Sequence, residues 1–305
     1  MLLNIMGKKI LVNCSVELLI SRLEKKYYIV SDNDNCIDYS IHIIYDEQMP
    51  HNSKFLGINK KTHNLYENSI SGYRSTVIQL ENNYVVKQVC LYDAKVIFNS
   101  LYNIDYVESC IELLMLNYIH SAENVLTLHA SAIEKEGSVI VFLGDSGSGK
   151  STMAMLAAYM GFNVIENENV IINFKDAFSI SELSGVISLK TEGKCRIKEY
   201  LKEKEDIGCK METREKNRYY KFIPKQIKLV FLDYSKDSES ILVEIDYANS
   251  MTKLLRHVII PDGYFRINKM SQSNNIFELL KRAECYTAGL IRNRLSESEK
   301  LLMKL

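Results

Sequence analysis

Residues 144 to 151, Gly-Asp-Ser-Gly-Ser-Gly-Lys-Ser, match the pattern G-x-x-x-x-G-K-[ST] of a phosphate-binding loop. A di- or triphosphate needs several backbone N–H groups aimed at one point, and glycines leave that backbone open to close approach. Lys150 can bring a cation to the β and γ oxygens, and the Ser151 hydroxyl can bind Mg²⁺. The residues expected to bind the nucleotide phosphates are Gly144, Asp145, Ser146, Gly147, Ser148, Gly149, Lys150, Ser151 and Thr152.

The segments on either side of the loop agree with this interpretation. Residues 139–143 form a short apolar run rich in β-branched residues, which predicts a buried strand. Residues 153–160 predict a helix whose N-terminal N–H groups face the same anion. Strand, loop and helix therefore follow in the order that phosphate binding requires.

Two further side chains, His129 and Glu168, are expected near the loop. His129 lies on a predicted strand at 125–133, and the turn at 134–137 returns the chain antiparallel into the loop strand. Glu168 stands at a strand edge just beyond the loop helix. Both residues could therefore flank the γ-phosphate. The hairpin also predicts a mixed sheet instead of the usual all-parallel nucleotide-binding sheet.

Length and composition narrow the class of protein. The 305 residues suffice for one large domain or two small ones, with 47% hydrophobic and 25% charged residues. A formal net charge of zero gives no reason to expect a nucleic acid or an anionic membrane as partner. The seven cysteines include no C-x-x-C pair, which favours reduced thiols in the cytoplasm over disulfides or a zinc site. Neither a signal peptide nor an apolar stretch of roughly 20 residues, as a membrane span needs, is expected.

The chain is predicted to divide near residue 106. Residues 1–106 show short alternating runs between turn-rich clusters and one helical pattern at 15–25, so they predict a smaller α+β domain without catalytic groups. Residues 107–305 contain the phosphate loop and begin with a predicted helix at 107–122. Later strands are predicted at 163–165, 169–174, 185–190, 227–233, 241–245 and 285–291, and helices at 248–258, 274–283 and from 296.

Two local features refine these later elements. The strands at 227–233 and 241–245 are expected to pair with each other. Ser296 followed by Glu299 matches a capping box at the start of the last helix.

The chain resembles the HPr kinase/phosphorylase superfamily, and most of all its branch of lasso-peptide kinases and related serine kinases. The matching residues are Leu-His-Ala-Ser-Ala at 128–132, the run 142–152, Gly161 and Glu-Asn-Glu-Asn-Val at 166–170. Their spacings agree without gaps, and the resemblance covers roughly residues 108–295. It implies that residues 107–305 form a PEP-carboxykinase-like phosphate-loop kinase domain with a mixed sheet.

The resemblance also implies roles for individual residues. The protein would use ATP, or another nucleoside triphosphate, and Mg²⁺. Lys150 would bind the phosphates, and His129 would lie beside the transferred phosphoryl group. Glu168 would take the proton from the acceptor hydroxyl, and Ser151 and Glu168 would bind the metal.

The sequence departs from the family at one position of this site. The family usually has two adjacent aspartates where this chain has Asn167-Glu168. Glu168 keeps a carboxylate but adds a methylene, and Asn167 removes a charge that could contact a second metal ion. Glu182 and Glu192 are both candidates for a second Mg²⁺ ligand.

Three functions follow as hypotheses. The first is a kinase that phosphorylates a hydroxyl, either a serine of a peptide or protein or a small serine-like compound. The second is a nucleotide-binding partner or scaffold protein whose catalysis is weakened or lost. The third is a phosphate-loop hydrolase with Asp233, at the end of the strand 227–233, on the metal. A homo-oligomer is compatible with each.

Overall fold

Eighteen strands and six α-helices are formed by the residues that the computed structural model describes. These residues are 1–27, 29–30, 36–45, 54–55, 64–70, 73–80, 83–89, 93–122, 124–175, 177–181, 183, 197, 200, 221–234, 240–259, 269–291 and 294–305. The chain is an α/β protein with two mixed sheets, in agreement with the predicted class. Contacts divide it into two units, with the change after Ala122. The helix predicted at 107–122 thereby belongs to the first unit.

The first unit is an eight-stranded sheet with two helices. The elements are β1 Leu2–Ile5, β2 Lys8–Cys14, α1 Glu17–Lys26, β3 Tyr39–Tyr45, β4 Lys54–Phe55, β5 Asn64–Ile70, β6 Tyr73–Leu80, β7 Asn83–Val89, β8 Asp93–Phe98, a 3₁₀ turn Leu101–Asn103 and α2 Ile104–Ala122. The strand order in the sheet is β1-β2-β3-β8-β7-β6-β5-β4, in which β2 pairs parallel with β3 and β3 with β8, and the other pairs are antiparallel.

The second unit contains the phosphate loop. Its strands are β9 Val125–Lys135, β10 Ser138–Leu143, β11 Asn163–Glu166, β12 Asn169–Asn173, β13 Ser179–Ser181, β14 Lys221–Phe222, β15 Gln226–Tyr234, β16 Ile241–Glu244, β17 Val258–Ile259 and β18 Ala283–Leu290. Its helices are α3 Lys150–Tyr159, α4 Tyr247–Leu255, α5 Lys269–Arg282 and α6 Leu295–Lys304.

The long strand β9 organises the second sheet. One edge pairs antiparallel with β10 over residues 130–135 and then with β17 at residues 127–128. The other edge pairs antiparallel with β11 and β12. Beyond β10 the sheet continues with parallel β15 and β18 and ends at antiparallel β16. The loop strand therefore lies between an antiparallel half and a parallel half, as the predicted hairpin requires.

Both faces of this sheet are covered by helices. Successive residues of a strand point to opposite faces. Val139, Val141 and Leu143 pack on the face that carries Leu254 of α4 and Leu279 of α5. On the other face, Ile140 and Phe142 pack with residues of α3 and α6. Burial on both faces explains why β10 is apolar from Val139 to Leu143.

Three predictions about later elements are wrong. β15 and β16 are not neighbours, because β18 lies between them and pairs with both. The helix predicted at 248–258 ends at Leu255, and Val258 belongs to β17. Helix α6 begins at Leu295 after Arg294 without a side-chain cap, so the capping box is absent there. The strand predicted at 185–190 lies outside the described residues.

None of the helices in the described part of the chain combines the length and the apolar character that crossing a membrane requires.

The hairpin between β9 and β10 gives a test of the local backbone. Glu136 and Gly137 have φ angles of 55° and 93°, the left-handed pair that a two-residue hairpin turn needs. Glu136 is exposed, and asparagine tolerates this conformation better than glutamate. We expect Glu136→Asn to stabilise the fold by about 1 kcal/mol and to raise the melting temperature by about 2–4 °C.

The matched variant Gly137→Ala should act in the opposite direction. An added Cβ would lie 2.8 Å from Cδ of Lys225, at a φ that alanine rarely adopts. Thermal melts measure the melting temperature of both variants against that of the unaltered protein. Equal changes in the two variants, or changes opposite to those expected, would contradict the turn geometry.

Candidate functional site

The phosphate loop leaves the sheet where β10 ends, and the surrounding backbone requires glycine at its first position. Gly144 is buried, and a Cβ there would lie 2.7 Å from the backbone oxygen of Leu232 and 2.4 Å from Oγ of Ser148. Gly147 and Gly149 have φ angles of 85° and 102°. All three glycines of the motif thus have a structural reason, either close approach or left-handed backbone.

The loop also presents groups suited to an anion. Lys150 is buried, and its Nζ donates to the backbone oxygens of Gly144 at 2.6 Å and Asp145 at 3.1 Å. The hydroxyl of Ser148 is buried without a hydrogen-bond partner among the described residues. Gly149 precedes α3 without a side-chain cap, so no side chain competes for the first N–H groups of the helix. These groups fit a phosphate.

His129 and Glu168 lie beside this loop through the pairing of β9. The N–H of Ala130 donates to the backbone oxygen of Glu168 at 3.2 Å, and Asn169 pairs with His129. The side chains of His129 and Glu168 are both exposed. Lys150 and Glu168 both exert charge effects on the His129 ring, so the three groups share one neighbourhood. The hairpin and the loop helix thus return these residues to one end of the sheet.

The turn before Glu168 is held by a buried carboxylate. Glu166 is 2% exposed, and its Oε1 accepts from the N–H groups of Asn167 at 2.7 Å and Glu168 at 3.1 Å. Its Oε2 accepts from the N–H of Leu183 at 2.8 Å. Three backbone donors satisfy the charge, which is the condition for burying a carboxylate. Glu166 therefore fixes the backbone that carries Glu168.

Asn167 has a structural role that the sequence did not reveal. It is 3% exposed, and the Ser131 hydroxyl lies 2.9 Å from its Oδ1 and 3.1 Å from its backbone oxygen. Its amide thus attaches the turn to β9. Asparagine at this position provides a neutral buried partner for Ser131.

Asp233 occupies the position at the end of the strand parallel to the loop strand. The last residue of β10, Leu143, pairs with Phe231. Asp233 follows two residues later on β15 and therefore lies beside the loop that leaves β10. Asp233 is exposed, and its Oδ1 accepts from the N–H of Tyr234 at 2.8 Å. The Tyr234 hydroxyl donates to the backbone oxygen of Gly147 at 2.6 Å. The parallel pairing of β10 and β15 brings this carboxylate close to the loop.

A pocket of about 370 Å³ opens between the loop and the end of α4. It is lined by loop residues 144–148, by residues 231–234 and by Lys253, Arg256 and His257. His129 and Glu168 are not among its lining residues. The three basic residues at positions 253, 256 and 257 were not predicted. Lys253 lies in the last turn of α4, whereas Arg256 and His257 follow the end of the helix, so no regular helical spacing in the sequence marks the three as one group.

The electrostatics of the site favour neutral imidazoles. Although the His129 side chain is largely exposed, partial desolvation of its ring lowers its pKa, and the Lys150 cation lowers it further, while Glu168 acts in the opposite direction. Burial also lowers the pKa of His257, which Asp145 partly offsets. The pKa of Lys150 is lowered by burial and raised by Asp145. Both histidines are therefore neutral at pH 7 and can offer one donor and one acceptor each.

The residues present fit a magnesium ion bound with a nucleotide. Mg²⁺ is usually held by one or two carboxylates together with substrate phosphates. The hydroxyl of Ser151 and the exposed carboxylates of Glu168 and Asp233 are the candidate donors. Within the described residues no group of three or more His, Cys, Asp or Glu side chains could hold a metal alone. Glu182 and Glu192, the other proposed ligands, lie outside the described residues.

No protein-family model matches the chain, and no curated protein matches it either.

The histidines give a prediction about pH in the metal-free protein. Both rings should titrate below the ordinary value of 6.5, as NMR of the imidazole protons can measure. Lys150→Met removes the nearby cation and should raise the pKa of His129 relative to the unaltered protein. Because the unfolded chain binds these protons more tightly, their contribution to stability is complete above 6.5 and is lost as pH falls through the folded pKa. A ring that titrates above 6.5 would contradict this placement.

Proposed function

We propose that the chain is an ATP-dependent kinase of the HPr kinase/phosphorylase type, which transfers the γ-phosphate of ATP, or of another nucleoside triphosphate, to a hydroxyl group. One observation carries the proposal: β9, which pairs with the loop strand, also carries His129 and accepts Glu168 as a backbone partner of Ala130, so an imidazole and a carboxylate lie at the end of the sheet where the loop begins. A phosphate loop alone indicates a nucleotide and no particular reaction. A carboxylate and an imidazole beside the loop add the groups that phosphoryl transfer to a hydroxyl uses.

Each residue has a defined task in this reaction. Lys150 binds the β and γ oxygens together with the N–H groups of the loop. The acceptor oxygen forms a bond to the γ-phosphorus, the bond from that phosphorus to the β–γ bridging oxygen breaks, and ADP leaves. Glu168 takes the proton of the acceptor hydroxyl. Neutral His129 donates a hydrogen bond to the transferred phosphoryl group.

Mg²⁺, when bound, neutralises charge on the phosphate oxygens. Ser151 and Glu168 would hold it. The remaining requirement is positioning, because phosphoryl transfer depends mainly on alignment and charge neutralisation. Glu166 contributes here, since it bonds the N–H of the base residue itself.

The mixed sheet supports the proposed PEP-carboxykinase-like fold for the second unit. Its loop strand has an antiparallel neighbour, β9, on one side and a parallel neighbour, β15, on the other. An all-parallel nucleotide-binding sheet would lack the first of these pairs. The proposed acceptor is a serine of a peptide or protein, or a small hydroxyl compound, encountered in the cytoplasm.

A second candidate function is a phosphate-loop hydrolase with Asp233 on the metal. The parallel pairing of β10 and β15, together with the exposure of Asp233 in the loop pocket, favours it. In such an enzyme water replaces the acceptor hydroxyl, and Glu168 has no role in the chemistry. A nucleotide-binding scaffold with weakened catalysis is the third candidate, motivated by Asn167-Glu168 in place of two aspartates.

Nucleotide binding is the first requirement of the proposal. Lys150→Ala removes the cation expected at the β and γ oxygens, so the affinity for Mg·ATP should fall by about tenfold or more. Isothermal titration calorimetry measures it. Lys281→Ala is the matched control, because Lys281 is exposed on α5 and pairs with Glu278. Unchanged affinity for Mg·ATP in the Lys150 variant would contradict the assignment of a phosphate-binding loop.

The choice between the kinase and the hydrolase rests on two carboxylates. Glu168→Gln keeps the shape of the side chain but removes the proton acceptor, so transfer from γ-labelled ATP to serine-containing acceptors should fall about 10²-fold or more. ATP binding should persist, and Glu168→Asp should retain or raise the rate. Asp233→Asn should have a milder effect on transfer.

The opposite pattern would favour the hydrolase: Asp233→Asn abolishes phosphate release and Glu168→Gln has little effect. If the unaltered protein binds ATP but neither hydrolyses it nor transfers phosphate to any hydroxyl tested, the scaffold hypothesis is correct and the kinase is refuted.

A further inference from the structure

The pocket beside the loop has a basic wall that the proposed reaction has not yet used. Lys253 and Arg256 line this pocket together with loop residues 144–148. Among the described residues, neither side chain has a hydrogen bond or ion pair to another residue. Solvated basic residues are common on protein surfaces. These two differ in that they face a loop whose sequence and geometry are those of a phosphate site.

The segment that carries Arg256 is fixed by the fold and is not an unattached loop. The N–H of Arg256 donates to the backbone oxygen of Lys253 at 3.2 Å, which closes the end of α4. The backbone oxygen of His257 accepts from the N–H of His129 at 2.8 Å, and β17 follows directly along β9. The His257 ring lies 6.4 Å from the ring of Phe231, centroid to centroid. Arg256 is therefore held between α4 and the strand that carries His129.

Charge in the neighbourhood indicates what this wall faces. Asp145, Lys150 and His129 all exert charge effects on the ring of His257, so the segment lies close to the loop cation. Lys150 is buried and donates to two loop carbonyls. Arg256 is exposed and lines the pocket together with the loop residues. A phosphate group in the loop would thus meet cations from two separate segments of the chain.

We propose that Arg256 contacts the γ-phosphate and neutralises it during transfer, as an arginine supplied by the same chain. This inference rests on the proposed nucleotide site. A planar guanidinium can donate two parallel hydrogen bonds to phosphate oxygens, which a lysine cannot do. Arginines in this position stabilise the transferring group in several classes of phosphoryl-transfer enzymes. Lys253 is the neighbouring cation and adds charge without this geometry.

The comparison of ATP with ADP tests the proposal without any need for turnover. Affinities for Mg·ADP and for Mg²⁺ with a non-hydrolysable ATP analogue are measured by calorimetry on the full chain. Arg256→Ala should weaken binding of the analogue about tenfold or more and leave ADP binding within about twofold. Arg256→Lys should bind the analogue with an affinity between those of the unaltered protein and Arg256→Ala, because lysine keeps the charge and loses the paired hydrogen bonds.

Arg282→Ala is the matched control. Arg282 is an exposed arginine at the end of α5, just before Ala283, which pairs with Ile227 at the opposite end of β15 from the loop. It should change neither affinity. Equal losses for ADP and the analogue in Arg256→Ala, or no loss for either, would overturn the γ-phosphate assignment while leaving the kinase proposal intact. If the unaltered protein binds neither nucleotide, the proposed function fails together with this inference.

Discussion

The candidate site depends on two adjacent backbone N–H groups of one strand. In β9 the N–H of His129 donates to His257, and the N–H of Ala130 donates to Glu168 on the other edge. Neighbouring residues of a strand direct their N–H groups to opposite edges, so one short stretch attaches two distant segments. The loop strand β10 pairs with the same stretch and ends opposite Ala130. The loop, the carboxylate and the basic wall are therefore all positioned by the ladder around His129.

Buried polar groups fix the backbone of the turn that carries Glu168, the residue that the proposed reaction uses as its base. Glu166 satisfies three backbone donors, and Ser131 attaches Asn167 to β9. A buried polar group that loses its partner costs about 1–3 kcal/mol, so this turn has few alternative conformations. Glu168 remains exposed at its end. A reactive side chain on a fixed backbone is the arrangement expected of a positioned catalytic group.

Local patterns predicted the loop, its flanking strand and helix, and the hairpin, because those features depend on residues close in sequence. The basic wall was not predictable, since Arg256 reaches the loop only through the pairing of β17 with β9, residues distant in the chain. The same limit explains the wrong pairing of β15 with β16. Alternation shows which face of a strand is buried but not which strand lies beside it, and β18 is inserted between them. The structural role of Asn167 was hidden because its partner, Ser131, belongs to another strand.

The central claim of the proposed function is that the γ-phosphate of a nucleotide bound in the loop lies beside His129 and Glu168. A crystal structure with Mg²⁺ and a non-hydrolysable ATP analogue tests it most directly. The account predicts that the β and γ phosphates lie in the loop against Lys150, with the γ-phosphate within hydrogen-bond reach of His129, directly or through one water. A triphosphate bound elsewhere, or one whose γ-phosphate points away from β9, would contradict it.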